Sequence, residues 1–155
     1  MRLMKAIQCV EWGDPSKLVL ADLPIPEPGS AQVRIRIAAA GVNFPDALIV
    51  QKKYQLQPKL PFVPGTEVAG TIDAVGTDVQ HLKVGDRVIA FVGVGGFAEY
   101  VCAPAALAVP IPEGLFAGFH FMKIRIFLCR LKFLLCDFQS VRLVDLIHFD
   151  RLFKE

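Results

Sequence analysis

Clustered metal ligands are missing from this sequence. A metal site needs ligands at short, regular spacings that converge on one ion. The 4 cysteines form no CxxC pair, and the 3 histidines stand apart from them and from one another. We therefore predict no metal, interpret the cysteines as buried or incidental thiols, and assign the histidines no chemistry. These residues are Cys9, Cys102, Cys129 and Cys136, and His81, His120 and His148.

Long uncharged apolar runs and a secretory signal are missing as well. No stretch approaches the roughly 18 uncharged residues of a membrane span. Because unpaired thiols suit a reducing compartment and the N-terminus has no secretory pattern, we expect a cytoplasmic protein without a membrane partner. The net charge of +2, with 21% charged residues, does not indicate a nucleic-acid partner, and we predict none.

Proline and glycine nearly disappear after residue 115. Residues 1–115 contain all 11 prolines and 11 of the 12 glycines. Residues 116–155 contain 8 of the 12 phenylalanines, no proline and a single glycine, Gly118. This change of composition predicts one domain over residues 1–115 and an anomalous apolar and basic tail over residues 116–155.

The tail leaves two interpretations open. Arg142, Asp145, His148 and Arg151 recur at three-residue intervals with apolar residues between them, which permits an amphipathic helix near the C-terminus. Such a helix would bind a membrane surface or a partner. The other interpretation, which we favour, is translated sequence unrelated to the preceding domain, after a frameshift or a fusion.

The first 115 residues have the pattern of short strands separated by turns. Gln32–Ile37 alternates polar and apolar residues, which is typical of a half-buried strand. Asp46–Lys52 has helical spacing, with Pro45 in the first turn. Many short strands with regular turns predict a mainly β, barrel-like domain. The other predicted strands are Lys5–Val10, Leu18–Leu23, Val68–Val75, Val88–Val92, Phe97–Cys102 and Leu107–Val109.

Two motifs carry a family resemblance. Gly41-Val42-Asn43-Phe44-Pro45-Asp46 and Pro64-Gly65-Thr66-Glu67 resemble the catalytic domain of medium-chain dehydrogenases/reductases. In the alcohol dehydrogenase branch a zinc-binding Cys stands at the position of Asn43, and a zinc-binding His at that of Thr66. The chain therefore resembles the zinc-free, quinone oxidoreductase-like branch. This resemblance implies a GroES-like, partly open β-barrel with short helices over residues 1–115.

The nucleotide-binding half of that family has no counterpart in this sequence. In the family, the segment matching Pro110–Leu115 leads towards a Rossmann domain, whose glycine-rich turn binds the cofactor pyrophosphate at a helix N-terminus. Residues 116–155 supply one glycine where that fingerprint needs three. We therefore expect the nucleotide-binding Rossmann domain to be absent, and a chain limited to the N-terminal catalytic domain.

The resemblance also implies a site. A hydride acceptor gains negative charge on an oxygen, and without zinc hydrogen-bond donors must stabilise that charge. By resemblance, Asn43 is catalytic and lies beside the nicotinamide ring or the acceptor, Thr66 contacts the nicotinamide end of the cofactor, and Tyr54 lies near the quinone pocket. Structural alternatives stay open: a left-handed turn at Asn43, a local hydroxyl–backbone bond at Thr66, and surface packing of Tyr54.

Three neighbouring features receive structural interpretations. We expect Asp46 to cap the short helix, since a carboxylate is favourable at a helix N-terminus. Glu67 is expected to anchor backbone as a structural carboxylate. Gly93–Gly96 precedes a strand pattern, whereas a phosphate loop precedes a helix, so we interpret it as a turn between strands.

The resemblance predicts the catalytic half of an NADPH-dependent quinone oxidoreductase. Its substrate would be a quinone or a conjugated carbonyl such as an enone, because conjugation carries the added charge to a distant oxygen. The alternatives are a fragment of an enoyl reductase, or an inactive remnant or interaction module that lacks cofactor binding. Full-length relatives are expected to be homo-oligomers. Because most cofactor affinity would come from the absent domain, we expect this chain to bind NADPH weakly or not at all.

Overall fold

Strands dominate residues 2–112, the part of the chain that the computed structural model describes. Each predicted strand and the predicted helix is present, so the mainly β fold is confirmed. Single-turn 3-10 helices occur at Pro15–Lys17 and Ala105–Leu107. In chain order the other elements are β1 (Leu3–Gln8), β2 (Val19–Pro24), β3 (Gln32–Gly41), α1 (Phe44–Val50), β4 (Glu67–Val75), β5 (Arg87–Phe91), β6 (Tyr100–Pro104) and β7 (Ala108–Pro110).

The strands form two antiparallel sheets that do not close into a complete barrel. β1 and β2 pair with each other, and the larger sheet has the order β6-β3-β4-β5-β7. Ile7 N of β1 also donates to the Phe97 carbonyl at 2.8 Å, and Glu99 N donates to the Lys5 carbonyl at 3.1 Å. The strand predicted from Phe97 begins at Tyr100, because Phe97 and Ala98 pair with β1 and Glu99 bonds to both β1 and β3.

Alternating apolar side chains of the larger sheet form the main core. Val33 and Ile35 of β3 pack with Val68 and Ile72 of β4, and each is at most 1% exposed. Burial of each such side chain contributes about 1.5–3 kcal/mol. A shift of one residue would turn these side chains to the other face, so the core specifies the β3–β4 register. The neighbouring strands add Val88, Ala90, Val101 and Ala103.

A second, smaller core holds α1. Ile49 and Val50 of the helix pack with Cys9 and Phe62. Cys9 and Phe62 also exchange two backbone hydrogen bonds of 2.7 and 3.1 Å, and the Trp12 ring lies 5.5 Å from the Phe62 ring. Because this cluster anchors the end of α1, it also positions the residues at the start of the helix.

Two features considered from the sequence remain, a membrane-spanning helix and the C-terminal tail. Within residues 2–112, no helix has the length and apolar character that crossing a membrane requires. The amphipathic helix predicted near the C-terminus lies outside the described residues, and so does the domain boundary after residue 115.

Candidate active site

Asn43 lies at the junction between β3 and α1. It is the N-cap residue of the helix, with an extended backbone (φ −116°, ψ 154°). The left-handed turn considered as an alternative for Asn43 is therefore wrong. Phe44 and Pro45 follow as the first helical residues, and proline is favourable there because its missing N–H would have no intrahelical partner.

Asp46 caps the helix through the main chain of Asn43. Its Oδ2 accepts from Asn43 N at 2.7 Å, and Asp46 N donates to the Asn43 carbonyl at 3.0 Å. Asp46 is only 3% exposed, which is unusual for a carboxylate and consistent with a fixed geometry. The capping role predicted for Asp46 is confirmed.

Glu67 holds the side chain of Asn43. Glu67 begins β4 directly opposite Gly41 of β3, two residues before Asn43. Its Oε2 accepts from Asn43 Nδ2 at 3.3 Å, the long end of the range for such bonds. Glu67 was expected to anchor backbone, and the hydrogen bond seen here joins its carboxylate to the side chain of Asn43, which follows the neighbouring strand β3. We call Asn43, Asp46 and Glu67 the Asn43 cluster.

Thr66 lies next to this cluster and is 8% exposed. Its carbonyl accepts from Val92 N at 2.8 Å, just beyond the end of β5. Since Thr66 precedes Glu67 in the chain, β4 brings both to the end of the sheet where Asn43 leaves β3. The sheet therefore brings together two of the three predicted site residues.

Tyr54 is positioned differently. It follows α1 in an irregular segment and is 37% exposed. Its carbonyl accepts from Gln57 Nε2 at 3.4 Å. Among the described residues, no hydrogen bond joins Tyr54 to Asn43 or to Thr66. Its role at a quinone pocket stays a prediction.

The glycine-rich segment, Gly93–Gly96, lies against Pro64 and Gly65, the two residues that precede Thr66 and Glu67 in the chain. Gly96 N donates to the Gly65 carbonyl at 2.9 Å, and Phe97 N donates to the Pro64 carbonyl at the same distance. Gly65 has φ +94°, and a Cβ there would lie 2.6 Å from Phe97 Cδ1. The two segments approach this closely only because both carry glycine. Sequence reasoning found the turn but missed this role, since the partner segments are far apart in the chain.

Exposed apolar side chains flank the Asn43 cluster. Val42 is 46% exposed and Phe44 54%, on either side of Asn43 in the chain. Phe91 of β5 pairs with Glu67 in register and is 47% exposed. The polar cluster thus lies beside an apolar surface, as expected of a site that another surface or a ligand covers.

The described residues offer one end of a nicotinamide cofactor site at most. Within residues 2–112, no group of three His, Cys, Asp or Glu side chains could hold a metal ion. The glycine-rich segment leads into β6 and not into a helix, so it lacks the amides that bind a pyrophosphate. Asn43 offers an amide and Thr66 a hydroxyl, groups that could bind a nicotinamide carboxamide, whereas the pyrophosphate has no matching cradle among the described residues.

The two cysteines in this region are unreactive thiols. Cys9 and Cys102 are not joined in a disulfide. Burial raises the pKa of both, and for Cys102 the nearby Arg34 opposes that rise. Since the thiolate is the reactive form, neither group is activated at neutral pH. Cys129 and Cys136 lie outside the described residues.

Comparisons with known proteins agree with this architecture. The family described as "Alcohol dehydrogenase GroES-like domain" matches residues 29–113. Rat quinone oxidoreductase is 42% identical over 116 residues, which cover 74% of this chain and 35% of that protein. The mouse synaptic vesicle membrane protein VAT-1 homolog-like is 38% identical over 112 residues, covering 72% and 27%.

Solved structures show the same likeness. The human VAT-1 homolog-like protein superposes with a TM-score of 0.72 and 36% identity, over 75% of this chain and 38% of that one. A mycobacterial protein solved in complex with NADPH has a TM-score of 0.69 and 39% identity, over 74% and 35%. The chain spans about a third of the length of these relatives. It belongs to the alcohol dehydrogenase GroES-like domain family, within the quinone oxidoreductase-like branch of the medium-chain dehydrogenases/reductases.

Proposed function

We propose that this chain is the catalytic-domain part of an NADPH-dependent quinone oxidoreductase, which transfers hydride to a quinone or a conjugated carbonyl without zinc. The observation that carries this proposal is the Asn43 cluster, which holds an amide beside Thr66 at an apolar surface. Bound NADPH would supply the hydride. A relative solved with NADPH supports this choice of cofactor.

Asn43 would stabilise the reduced acceptor. Its Nδ2 carries two hydrogens, and Glu67 accepts one of them. The other can donate to the acceptor oxygen as that oxygen gains negative charge. A preorganised donor of this kind contributes roughly 3–4 kcal/mol to the transition state. The oxygen then takes its proton from solvent, which completes the reduction.

Thr66 and Tyr54 have subordinate roles in this proposal. Thr66 would bind the nicotinamide end through its hydroxyl, with its main chain held by Val92. Tyr54 would contact the quinone with its half-exposed phenol. The exposed Val42, Phe44 and Phe91 would be covered by a nucleotide-binding domain or by the substrate.

A turnover assay tests the proposal. We expect the 155-residue chain to oxidise NADPH with a panel of quinones and enones, slowly and with a KM for NADPH above the usual range of about 1 µM–1 mM. Asn43→Ala should lower the rate by about 10²–10³-fold, the loss typical of one oxyanion donor. The matched control is Gln51→Ala, which removes an amide at the other end of α1 and should leave the rate unchanged.

The alternatives predict other results. An interaction module predicts no turnover by a folded chain. Turnover of enoyl thioesters in preference to quinones would favour an enoyl reductase. Calorimetric titration checks the expectation of weak cofactor binding, and micromolar affinity for NADPH would contradict it.

A further inference from the structure

Asn43 is held at two points by two different carboxylates. Asp46 Oδ2 binds its main-chain N–H at 2.7 Å, and Glu67 Oε2 binds its side-chain Nδ2 at 3.3 Å. The first bond belongs to α1 and follows from helix capping. The second crosses from β4, 24 residues further along the chain, and helix formation does not require it.

The hydrogen bond to Glu67 determines which end of the Asn43 amide faces this carboxylate. An ionised carboxylate only accepts hydrogen bonds, whereas a carboxamide has a donating nitrogen and an accepting oxygen. The group of Asn43 that faces Glu67 must therefore be Nδ2, and the amide cannot turn over without losing this bond. In the capping box the Asn43 side chain also faces the N–H of Asp46, which suits Oδ1 and leaves the second N–H of Nδ2 for a ligand.

Strand pairing on both sides of Glu67 holds its backbone in place. Glu67 pairs with Gly41 on one side and with Phe91 on the other, so it lies within a three-stranded part of the sheet. Two residues before Glu67, Gly65 packs closely against Gly96 and Phe97. The carboxylate thus projects from a rigid strand towards a side chain at the start of a short helix.

We propose that Glu67 is a positioning residue, which fixes the orientation of the Asn43 amide and so selects the group that Asn43 presents to a ligand. The proposal rests on the proposed function for the identity of that ligand, a nicotinamide ring or a quinone oxygen. The orientation itself depends only on this chain, and it can be measured without cofactor or substrate.

The composition of the chain makes the measurement direct. Asn43 is its only asparagine, so labelling with ¹⁵N-asparagine gives a single side-chain amide signal in an NMR spectrum of the full chain. In the wild type we expect one Nδ2 proton shifted downfield by the carboxylate. In Glu67→Ala that shift should be lost, and exchange of the amide protons with solvent should be roughly tenfold faster, as for loss of one bond to a charged group.

Two further variants complete the experiment. Glu67→Gln keeps the shape and an acceptor oxygen but removes the charge, so the Asn43 amide should show a smaller downfield shift. Glu27→Gln is the matched control, since Glu27 bonds Arg34 at the far end of β3. It should leave the Asn43 signal unchanged.

The outcomes separate this proposal from the proposed function. A wild-type amide shift and exchange rate in folded Glu67→Ala would overturn the positioning role. If Glu67→Ala does not fold, a downfield shift in Glu67→Gln equal to that of wild type would do so equally. Loss of the downfield signal together with a chain that shows no turnover would support the positioning of Asn43 and reject the quinone oxidoreductase assignment.

Discussion

The β3–β4 pair ends in two polar clusters of different character. At one end, Arg34 donates to both oxygens of Asp73 at 2.9 and 3.2 Å, and its Nη1 lies 3.0 Å from Glu27. We call these three residues the Arg34 cluster. At the other end, about 20 Å from Asp73 along β4 at roughly 3.3 Å per residue, the Asn43 cluster surrounds a neutral amide with two carboxylates.

The difference lies in what each central side chain does to charge. The guanidinium of Arg34 pairs with both carboxylates of its cluster, and hydrogen bonding to Asp73 raises the pKa of Arg34. Asn43 carries no charge and cannot form an ion pair with Glu67. A cluster whose carboxylates are paired with a cation stabilises the sheet, whereas one that retains hydrogen-bonding capacity beside an apolar surface suits a ligand. We therefore expect substitutions to separate stability from site geometry at the two ends.

The largest effect on stability is expected at Gly65, two residues before Glu67 of the Asn43 cluster. Its φ of +94° disfavours any side chain by about 1–2 kcal/mol, and a Cβ would lie 2.6 Å from Phe97 Cδ1. Overpacking of this kind costs a further 1–3 kcal/mol or so. Gly65→Ala should lower the free energy of unfolding by about 2–5 kcal/mol, measured by urea denaturation.

Gly85 provides a control with the same backbone conformation. It also has φ +94°, but no atom lies within 4 Å of a Cβ built there. Gly85→Ala should therefore cost only the conformational part, about 1–2 kcal/mol. Equal losses for the two variants would show that close packing at Gly65 does not support the Asn43 end of the sheet.

The Arg34 cluster should give the next largest effect. The side chains of Arg34 and Asp73 are 15% and 31% exposed, so Arg34→Ala leaves a partly buried carboxylate without its partner. We expect a loss of about 2–3 kcal/mol in the free energy of unfolding, somewhat less than for a fully buried pair. The spectrum of the Asn43 amide should not change.

Arg36, an exposed arginine on the same strand, is the matched control. Arg36→Ala should change the free energy of unfolding by less than about 0.5 kcal/mol. If Arg34→Ala lowered the free energy of unfolding no more than Arg36→Ala, the Arg34 cluster would not stabilise the sheet. The proposed contrast between the two ends of the β3–β4 pair would then be wrong.

Local patterns were sufficient to predict most elements of this fold. The alternation in Gln32–Ile37 predicted β3, whose continuation to Gly41 could not be read because Ala38–Ala40 has no polar–apolar alternation. Pro45 marked the start of α1 correctly. The start of β6 was misplaced because pairing with β1, a contact between distant segments, ends before Tyr100.

The candidate site was predictable only in part. By resemblance, the two motifs predicted site roles for Asn43 and Thr66 and a structural role for Glu67. The bond between Asn43 and Glu67 joins residues 24 apart, and it depends on the register that places Gly41 opposite Glu67. Only the three-dimensional packing of β3 and β4 determines that register, so sequence patterns could not supply the bond.

The smallest effect on stability, and the most specific, is expected at Asn43 itself. Asn43→Asp would place a third carboxylate in the cluster, near the position where Nδ2 now lies 3.3 Å from Glu67. Repulsion between the two neighbouring carboxylates should destabilise the folded chain. Dissolved salt screens charges, so this loss should become smaller as the ionic strength rises.

Urea denaturation at low and at high salt measures this dependence. At low ionic strength we expect Asn43→Asp to lose about 1–2 kcal/mol relative to wild type, and to recover part of that difference at about 1 M salt, where the Debye length is about 3 Å. Asn43→Ser, which adds no charge, should differ from wild type by an amount independent of salt. A salt-independent loss in Asn43→Asp would mean that the Glu67 carboxylate does not face this position, and the contrast with the cation-paired Arg34 end would then fail.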